Sequence, residues 1–153
     1  MKRRNFIILL LCTFLSACSQ TIEFDITNRS DSPIVIEYTV KADVDGVEHT
    51  ATKPYKTTYA NWNSWFGWNV DWVEVSPTEY RFESATKTCR FQVLPGEVVR
   101  INWETDTFMS NDEGFHVGSI RLSGKNGEVS YSGEHLYKQF EKKNEQVRFI
   151  EYK

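Results

Sequence analysis

Hydrophobic and polar residues alternate along much of this chain, and this alternation is typical of β-strands that bury one face. The clearest alternating segments are residues 22–27 and 34–41, and the residues between them, 28–33, are mostly turn formers. Further alternating segments span residues 80–82, 89–93, 99–103, 115–122, 129–131 and 147–152. The pattern predicts seven to nine short strands.

The first strand illustrates what alternation implies about burial. The apolar residues Ile22, Phe24 and Ile26 are expected to face the core. The intervening Glu23, Asp25 and Thr27 are then expected on the opposite face of the strand.

Two local patterns add detail near the C-terminus. Asn126-Gly127 separates two alternating segments and predicts a tight hairpin of type I′. Leu136 and Phe140 lie four residues apart among charged residues, which predicts a short amphipathic helix within residues 134–144.

Many short strands with frequent turns and one late helix predict a mainly β protein, an antiparallel β-sandwich formed by a single domain over residues 22–153. Two motifs, Asn28-Arg29-Ser30-Asp31-Ser32-Pro33 before an apolar strand and Val93-Leu94-Pro95-Gly96-Glu97 later, are similar to small immunoglobulin-like envelope domains. The resemblance implies an immunoglobulin-like sandwich but names no activity.

The N-terminus has the layout of a secretory signal. Lys2, Arg3 and Arg4 precede a run over residues 6–15 that is apolar apart from Thr13 and is too short to span a bilayer. The following Leu15-Ser16-Ala17-Cys18 resembles the bacterial lipobox. This resemblance implies that residues 1–17 are removed, that Cys18 is acylated, and that residues 18–21 form a short tether. The alternative is an ordinary signal peptide with a chance cysteine.

Localisation follows from the same resemblance. In enterobacterial lipoproteins an Asp after the lipidated Cys favours retention in the inner membrane, and this chain has Ser19 there. We therefore expect a protein of the bacterial cell envelope, anchored by lipid in the outer membrane.

The net charge argues against one class of partner, and the cysteine count leaves one free thiol. Removing residues 1–17 takes away three of the 18 cationic residues and none of the 21 acidic ones, which changes the formal net charge from −3 to −6. Because the remaining cationic residues are scattered, we expect no nucleic-acid partner. Of the three cysteines only Cys89 then keeps a free thiol, and its alternation with Arg90 and Gln92 predicts a core residue.

The segment over residues 61–72 holds four of the five tryptophans. Its even positions are nearly all apolar, so one interpretation is a strand that buries most of the aromatic side chains. The alternative is a loop that exposes them. Because Trp65 breaks the alternation, we take Trp65, Asn61, Asn63 and Asn69 as candidate ligand-binding residues, suited to a glycan or a protein partner.

Motifs for catalysis or metal binding are weak. Residues 43–48 resemble the start of a calcium loop that is not completed, the three histidines are isolated, and there is no Gly-x-Ser-x-Gly element. We therefore expect no enzyme activity, no metal and no cofactor. Three hypotheses remain: a binding module, a structural subunit that pairs through edge strands, and a minor one, a hydrolase using Asp106, Asp112 or Glu113.

Overall fold

The computed structural model describes residues 20–41, 53–63, 70–106, 115–144 and 146–153. These residues form a six-stranded and a five-stranded sheet that share one hydrophobic core, so the predicted β-sandwich is confirmed. The described residues form eleven strands rather than the predicted seven to nine, and all described pairs are antiparallel except the parallel pair of the first and last strands. Their strands and one α-helix are, in chain order, β1 (Gln20–Asn28), β2 (Ile34–Val40), β3 (Tyr55–Thr58), α1 (Tyr59–Trp62), β4 (Val73–Glu74), β5 (Tyr80–Glu83), β6 (Thr88–Val93), β7 (Glu97–Asp106), β8 (Val117–Gly124), β9 (Gly127–Ser132), β10 (Glu141–Lys142) and β11 (Val147–Tyr152).

The chain crosses repeatedly between the two sheets. The six-stranded sheet has the order β10-β11-β1-β7-β3-β4, and the five-stranded sheet has the order β5-β6-β2-β8-β9. The immunoglobulin arrangement pairs its first two strands in one sheet, whereas here β1 and β2 lie in different sheets. The sandwich architecture is therefore shared with immunoglobulin domains, and the strand order is not.

The core is built by the alternation that the sequence displays. In β2 every second residue is buried, and in β6 the side chains of Cys89, Phe91 and Val93 are buried between exposed neighbours. Cys89 is fully buried and free, as predicted. Phe24 packs against Phe115 and Phe140 with ring centroids 4.6 and 5.3 Å apart, which ties the residues before β8 and after β9 to the centre of the sandwich.

Asn28, at the end of β1, joins the two places where the chain crosses between the sheets. Its fully buried amide donates to the carbonyl of Ser32 at 2.9 Å and to that of Val93 at 3.0 Å. The backbone carbonyl of Asn28 accepts from the Gly96 N–H at 2.9 Å. The β1–β2 and β6–β7 connections are the two motifs that resemble immunoglobulin-like domains, and Asn28 holds them together.

The β6–β7 connection is a tight turn whose residues explain its geometry. The Glu97 N–H donates to the Leu94 carbonyl at 3.1 Å, and Gly96 has a φ of 76°. A type II turn favours proline at its second position and requires a positive φ at its third, which glycine adopts without strain. The Glu97 carboxylate also accepts from the Leu94 N–H at 2.8 Å, so the turn is closed by side chain and backbone together.

Near the C-terminus the structure agrees with the predicted hairpin and shortens the predicted helix. β8 and β9 pair up to Gly124 and Gly127, so the two connecting residues are Lys125 and Asn126 rather than Asn126 and Gly127. The predicted type I′ turn is wrong, because neither Lys125 nor Asn126 has a positive φ and only Gly127 does, at 125°. Within residues 134–144 a single 3-10 turn forms over Leu136–Gln139, and β10 follows it. Leu136 and Phe140 are both buried, so a short turn suffices to seat them in the core.

Replacing Asn28 with alanine should lower the free energy of unfolding by about 3 kcal/mol, because the carbonyls of Ser32 and Val93 and the Ser30 N–H lose their side-chain partner. Urea unfolding of the full chain measures this. The matched control is Asn126→Ala, whose amide donates to the exposed terminal carbonyl of Lys153 and should change stability by less than about 0.5 kcal/mol. Equal effects of the two substitutions would contradict the role of Asn28.

Candidate functional site

The outer face of the six-stranded sheet is covered in part by α1. The helix begins after Thr58, whose hydroxyl accepts from the Asn61 N–H at 3.4 Å, and the Tyr59 N–H donates to the Gly96 carbonyl at 2.7 Å. These contacts place Trp62 against β1, where only 4% of its surface is exposed.

The strand interpretation of residues 61–72 is wrong where the structure describes this segment. Trp62 ends a helix, Asn63 lies in a turn, and Val70, Asp71 and Trp72 form no strand. Trp62 is nevertheless buried, because a helix of one turn presents it to the sheet. Burial of this tryptophan therefore comes from the outer face of the sheet and not from the sandwich core.

Trp62 is held from three sides. Its indole N–H donates to the Asp25 Oδ2 at 2.7 Å, and its ring packs edge-on against Phe149 with centroids 5.4 Å apart. The Lys143 ammonium lies 3.5 Å from the centre of the Trp62 ring and donates to the Trp62 backbone carbonyl. We call Asp25, Trp62, Arg100 and Lys143 the Trp62 cluster.

Asp25 is the unexpected member of this cluster. Alternation placed it on the polar face of β1, but α1 covers that face and leaves Asp25 and Thr27 fully buried. Burial raises the pKa of Asp25 to about 7, and the neighbouring Glu23 adds to this. The positive charges of Arg100 and Lys143 and the Trp62 hydrogen bond act in the opposite direction on that pKa.

The two cations of the cluster are held differently. Arg100 forms an ion pair with Glu23, and its Nε lies 4.0 Å from the Asp25 Oδ1. Burial lowers the pKa of Lys143, while the charge of Asp25 raises it. Glu23, Asp25, Arg100 and Lys143 thus lie close together on this face of the sheet, and of these four only Asp25 is fully buried.

Cations also cover neighbouring aromatic rings on this face. The Arg100 guanidinium carbon lies 4.0 Å from the centre of the Trp72 ring, and that of Arg29 lies 3.9 Å from the centre of the Tyr59 ring. Each contact fixes the ring at one of its faces. The two ends of the aromatic segment, at Trp62 and Trp72, are therefore both attached to the six-stranded sheet.

The predicted ligand-binding residues are only partly described. Asn61 and Asn63 are exposed on either side of buried Trp62, and the Asn63 N–H donates to the Tyr59 carbonyl at 2.9 Å. Trp65, Asn69 and the lipidation residue Cys18 lie outside the described residues. Asp112, Glu113 and the start of a calcium loop at 43–48 lie there too, as does the side chain of Asp106.

Among the described residues, the side chains with an altered pKa are mostly not accessible for chemistry at the protein surface. Asp25 titrates near neutrality but is sealed under Trp62, and burial raises the pKa of the Cys89 thiol to about 11. In the described ranges, no group of three or more His, Cys, Asp or Glu is placed to hold a metal ion, and no helix is long and apolar enough to span a membrane. The Trp62 cluster is therefore suited to holding the surrounding protein surface in one conformation.

Sequence reasoning did not find the Trp62 cluster. Asp25 occupies a polar position of an alternating strand, and Arg100 and Lys143 lie 75 and 118 residues away along the chain. The one usable signal is that four tryptophans in 12 residues exceed what a single strand face can bury. Such a segment has to cover a second surface.

Replacing Asp25 with asparagine should flatten the dependence of stability on pH. A carboxyl whose pKa is raised from 3.8 to about 7 on folding holds its proton more tightly in the folded state. The free energy of unfolding therefore falls as the pH rises from about 4 to 7, by an amount on the order of a few kcal/mol, and Asp25→Asn removes this fall.

Urea unfolding at several pH values between 4 and 8 measures the effect. The matched control is Asp31→Asn, because the Asp31 side chain is 76% exposed and should leave the pH profile unchanged. If the free energy of unfolding of the Asp25→Asn variant depended on pH as that of the wild type does, a raised pKa of Asp25 would be refuted.

Comparison with known proteins gives no relative for this site. No protein-family model matches the chain, and no curated protein and no solved structure is significantly similar to it. The function of the chain is therefore inferred from its own side chains.

Proposed function

We propose that this chain is a lipid-anchored lipoprotein of the bacterial envelope whose β-sandwich is a non-catalytic binding module for a protein or glycan partner. The observation that carries the binding role is the fixation of Trp62. It holds the exposed Asn61 and Asn63 in place beside the tryptophan-rich segment.

The position of the first strand is compatible with the proposed anchor. β1 begins at Gln20, so cleavage before Cys18 would remove none of the described residues. β1 includes Gln20 and Thr21 of the proposed tether, so only Ser19 would separate the lipidated residue from the strand and the domain would lie close to the bilayer surface. Each buried CH₂ of an acyl chain contributes about 0.8 kcal/mol, and several chains give stable attachment.

The binding surface is supported by its rigidity. An asparagine amide both donates and accepts hydrogen bonds, as sugar hydroxyls and peptide groups do. Because the backbone on either side of Trp62 is already ordered, less conformational entropy is lost when Asn61 and Asn63 bind a partner. Trp65 and Asn69 complete the proposed surface as sequence predictions, with Trp65 as its aromatic anchor.

The runner-up is a structural subunit that joins a larger complex through an edge strand. β9 lies at the edge of the five-stranded sheet, its residues are mostly exposed, and Val129 is 42% exposed. The strand contains neither proline nor lysine, the residues that commonly protect an edge from pairing. Backbone pairing would then supply the affinity.

The anchor predicts acylation at one cysteine only. Cys18→Ser should abolish incorporation of labelled palmitate and release the protein from the membrane fraction, because the acyl acceptor is removed. Cys12→Ser is the matched control and should incorporate label as the wild type does. Undiminished labelling of the Cys18→Ser protein would refute lipidation at this residue.

The binding surface predicts a loss of partner capture. Crosslinking in intact envelopes, followed by purification and binding to a glycan array, should recover a fixed partner with wild-type protein. Asn61→Ala with Asn63→Ala, or Trp65→Ala, should reduce recovery about tenfold because hot-spot contacts are lost.

Two further variants decide between the proposals in the same experiment. Asn126→Ala is the matched control and should bind as the wild type does. Loss of the partner in Val129→Lys, with unchanged binding by the asparagine and tryptophan variants, would favour edge-strand pairing instead. Recovery of no partner with the wild type would count against both.

A further inference from the structure

A row of charged residues crosses the solvent face of the five-stranded sheet. The strand register places Arg81 opposite Arg90, Arg90 opposite Glu37, and Glu37 opposite Arg121. The side chains of Arg90 and Arg121 are 60% and 47% exposed, and Arg81 is also exposed. Three arginines and one glutamate thus give this row a net positive charge in a chain whose overall charge is negative.

The charges in the row are unevenly compensated. Glu37 is bonded to Arg121 at 2.5 Å, whereas its other oxygen lies 3.9 Å from Arg90. Among the described residues Arg81 has no acidic partner. Like charges directly opposite each other on neighbouring strands are destabilising, so the Arg81–Arg90 pair is a local cost to the fold that an anion between them would offset.

A shallow cleft of about 660 Å³ lies beside these two arginines. Its lining includes Arg81, Arg90, Gln92, Thr78 and Val35. A cleft of this size fits a small ligand. The amide and hydroxyl groups of Gln92 and Thr78 add hydrogen-bonding partners next to the two guanidinium groups.

The one acidic residue in the lining is already engaged. Glu79 accepts from the Lys56 ammonium at 2.7 Å and from the Ser76 N–H at 3.1 Å, and these bonds lower its pKa. Glu83, farther along β5, accepts from the Thr86 hydroxyl at 3.0 Å, and Glu128 lies on β9 at the other edge of the sheet. The Lys56 ammonium therefore offsets the charge of Glu79 and reduces its repulsion of an anion placed at Arg81 and Arg90.

We propose that Arg81 and Arg90, together with Gln92 and Thr78, form a binding site for an acidic saccharide. The planar guanidinium groups receive the carboxylate or phosphate of the sugar, which arginine binds in a bidentate manner. Gln92 and Thr78 bind hydroxyl groups of the same ligand. The site lies on the opposite sheet from the Trp62 cluster and requires neither the lipid anchor nor the partner proposed above.

Titration of the full chain, purified in detergent, with four probes tests the site. The probes are a galacturonate oligomer, a sugar phosphate, a neutral maltose oligomer of similar length, and inorganic phosphate. One or both acidic saccharides should bind, with affinity falling as salt is raised, and the neutral oligomer should not. Which acidic probe binds more tightly distinguishes a carboxylate from a phosphate source.

Arg81→Gln combined with Arg90→Gln should weaken that binding about tenfold or more, because two charge-assisted contacts are lost. Arg121→Gln is the matched control on the same face and should change affinity less than about twofold, since Glu37 engages this arginine. The melting temperature of the double variant should be equal to or higher than that of the wild type, which excludes misfolding as the cause.

Several results would overturn the proposal. Absence of binding by both acidic saccharides would do so, and so would equal losses in the double variant and in Arg121→Gln. Inorganic phosphate that binds as tightly as the sugars would reject a saccharide site. The variants of Asn61, Asn63 and Trp65 should bind the acidic probes as the wild type does. A failure of the acidic-saccharide site can therefore be distinguished from a failure of the binding surface at those three residues.

Discussion

The fold depends most on the buried amide of Asn28. A sandwich needs its chain to cross between sheets, and each crossing leaves backbone groups that no strand satisfies. Here one residue serves two crossings: its side-chain amide donates to the carbonyls of Ser32 and Val93, while its backbone carbonyl accepts from the Gly96 N–H. Because these connections lie at the same end of β1 and β7, the asparagine fixes how the two sheets meet.

The placement of α1 follows from that junction. The Gly96 carbonyl accepts from the Tyr59 N–H, so the turn that Asn28 holds also receives the first residue of the helix. From there Trp62 reaches the outer face of β1 and buries Asp25. A carboxyl in this position is costly when charged, and the Trp62 N–H with two nearby cations reduces the cost without removing it.

The two outer faces of the sandwich have different physical characters. On the six-stranded sheet, opposite charges and aromatic rings are packed together and largely covered, which gives a fixed surface around Asn61 and Asn63. On the five-stranded sheet the charged row is open to solvent, and its arginines outnumber its single acid. The first face is thus organised by contacts within the chain, and the second retains unpaired positive charge.

The sequence by itself determined most of the longer strands, the buried position of Cys89 and the sandwich class, because alternation and turn residues act over a few neighbours. It did not indicate β3, β4 or β10, which are short and carry too few residues for alternation to be recognised. It also placed Asn61 and Asn63 beside the aromatic segment. Only the tertiary structure decided that α1 covers β1, that Asp25 is buried, and that Arg81 lies opposite Arg90 across two strands. Those outcomes depend on which surfaces meet and on strand register, and local periodicity carries no information about either.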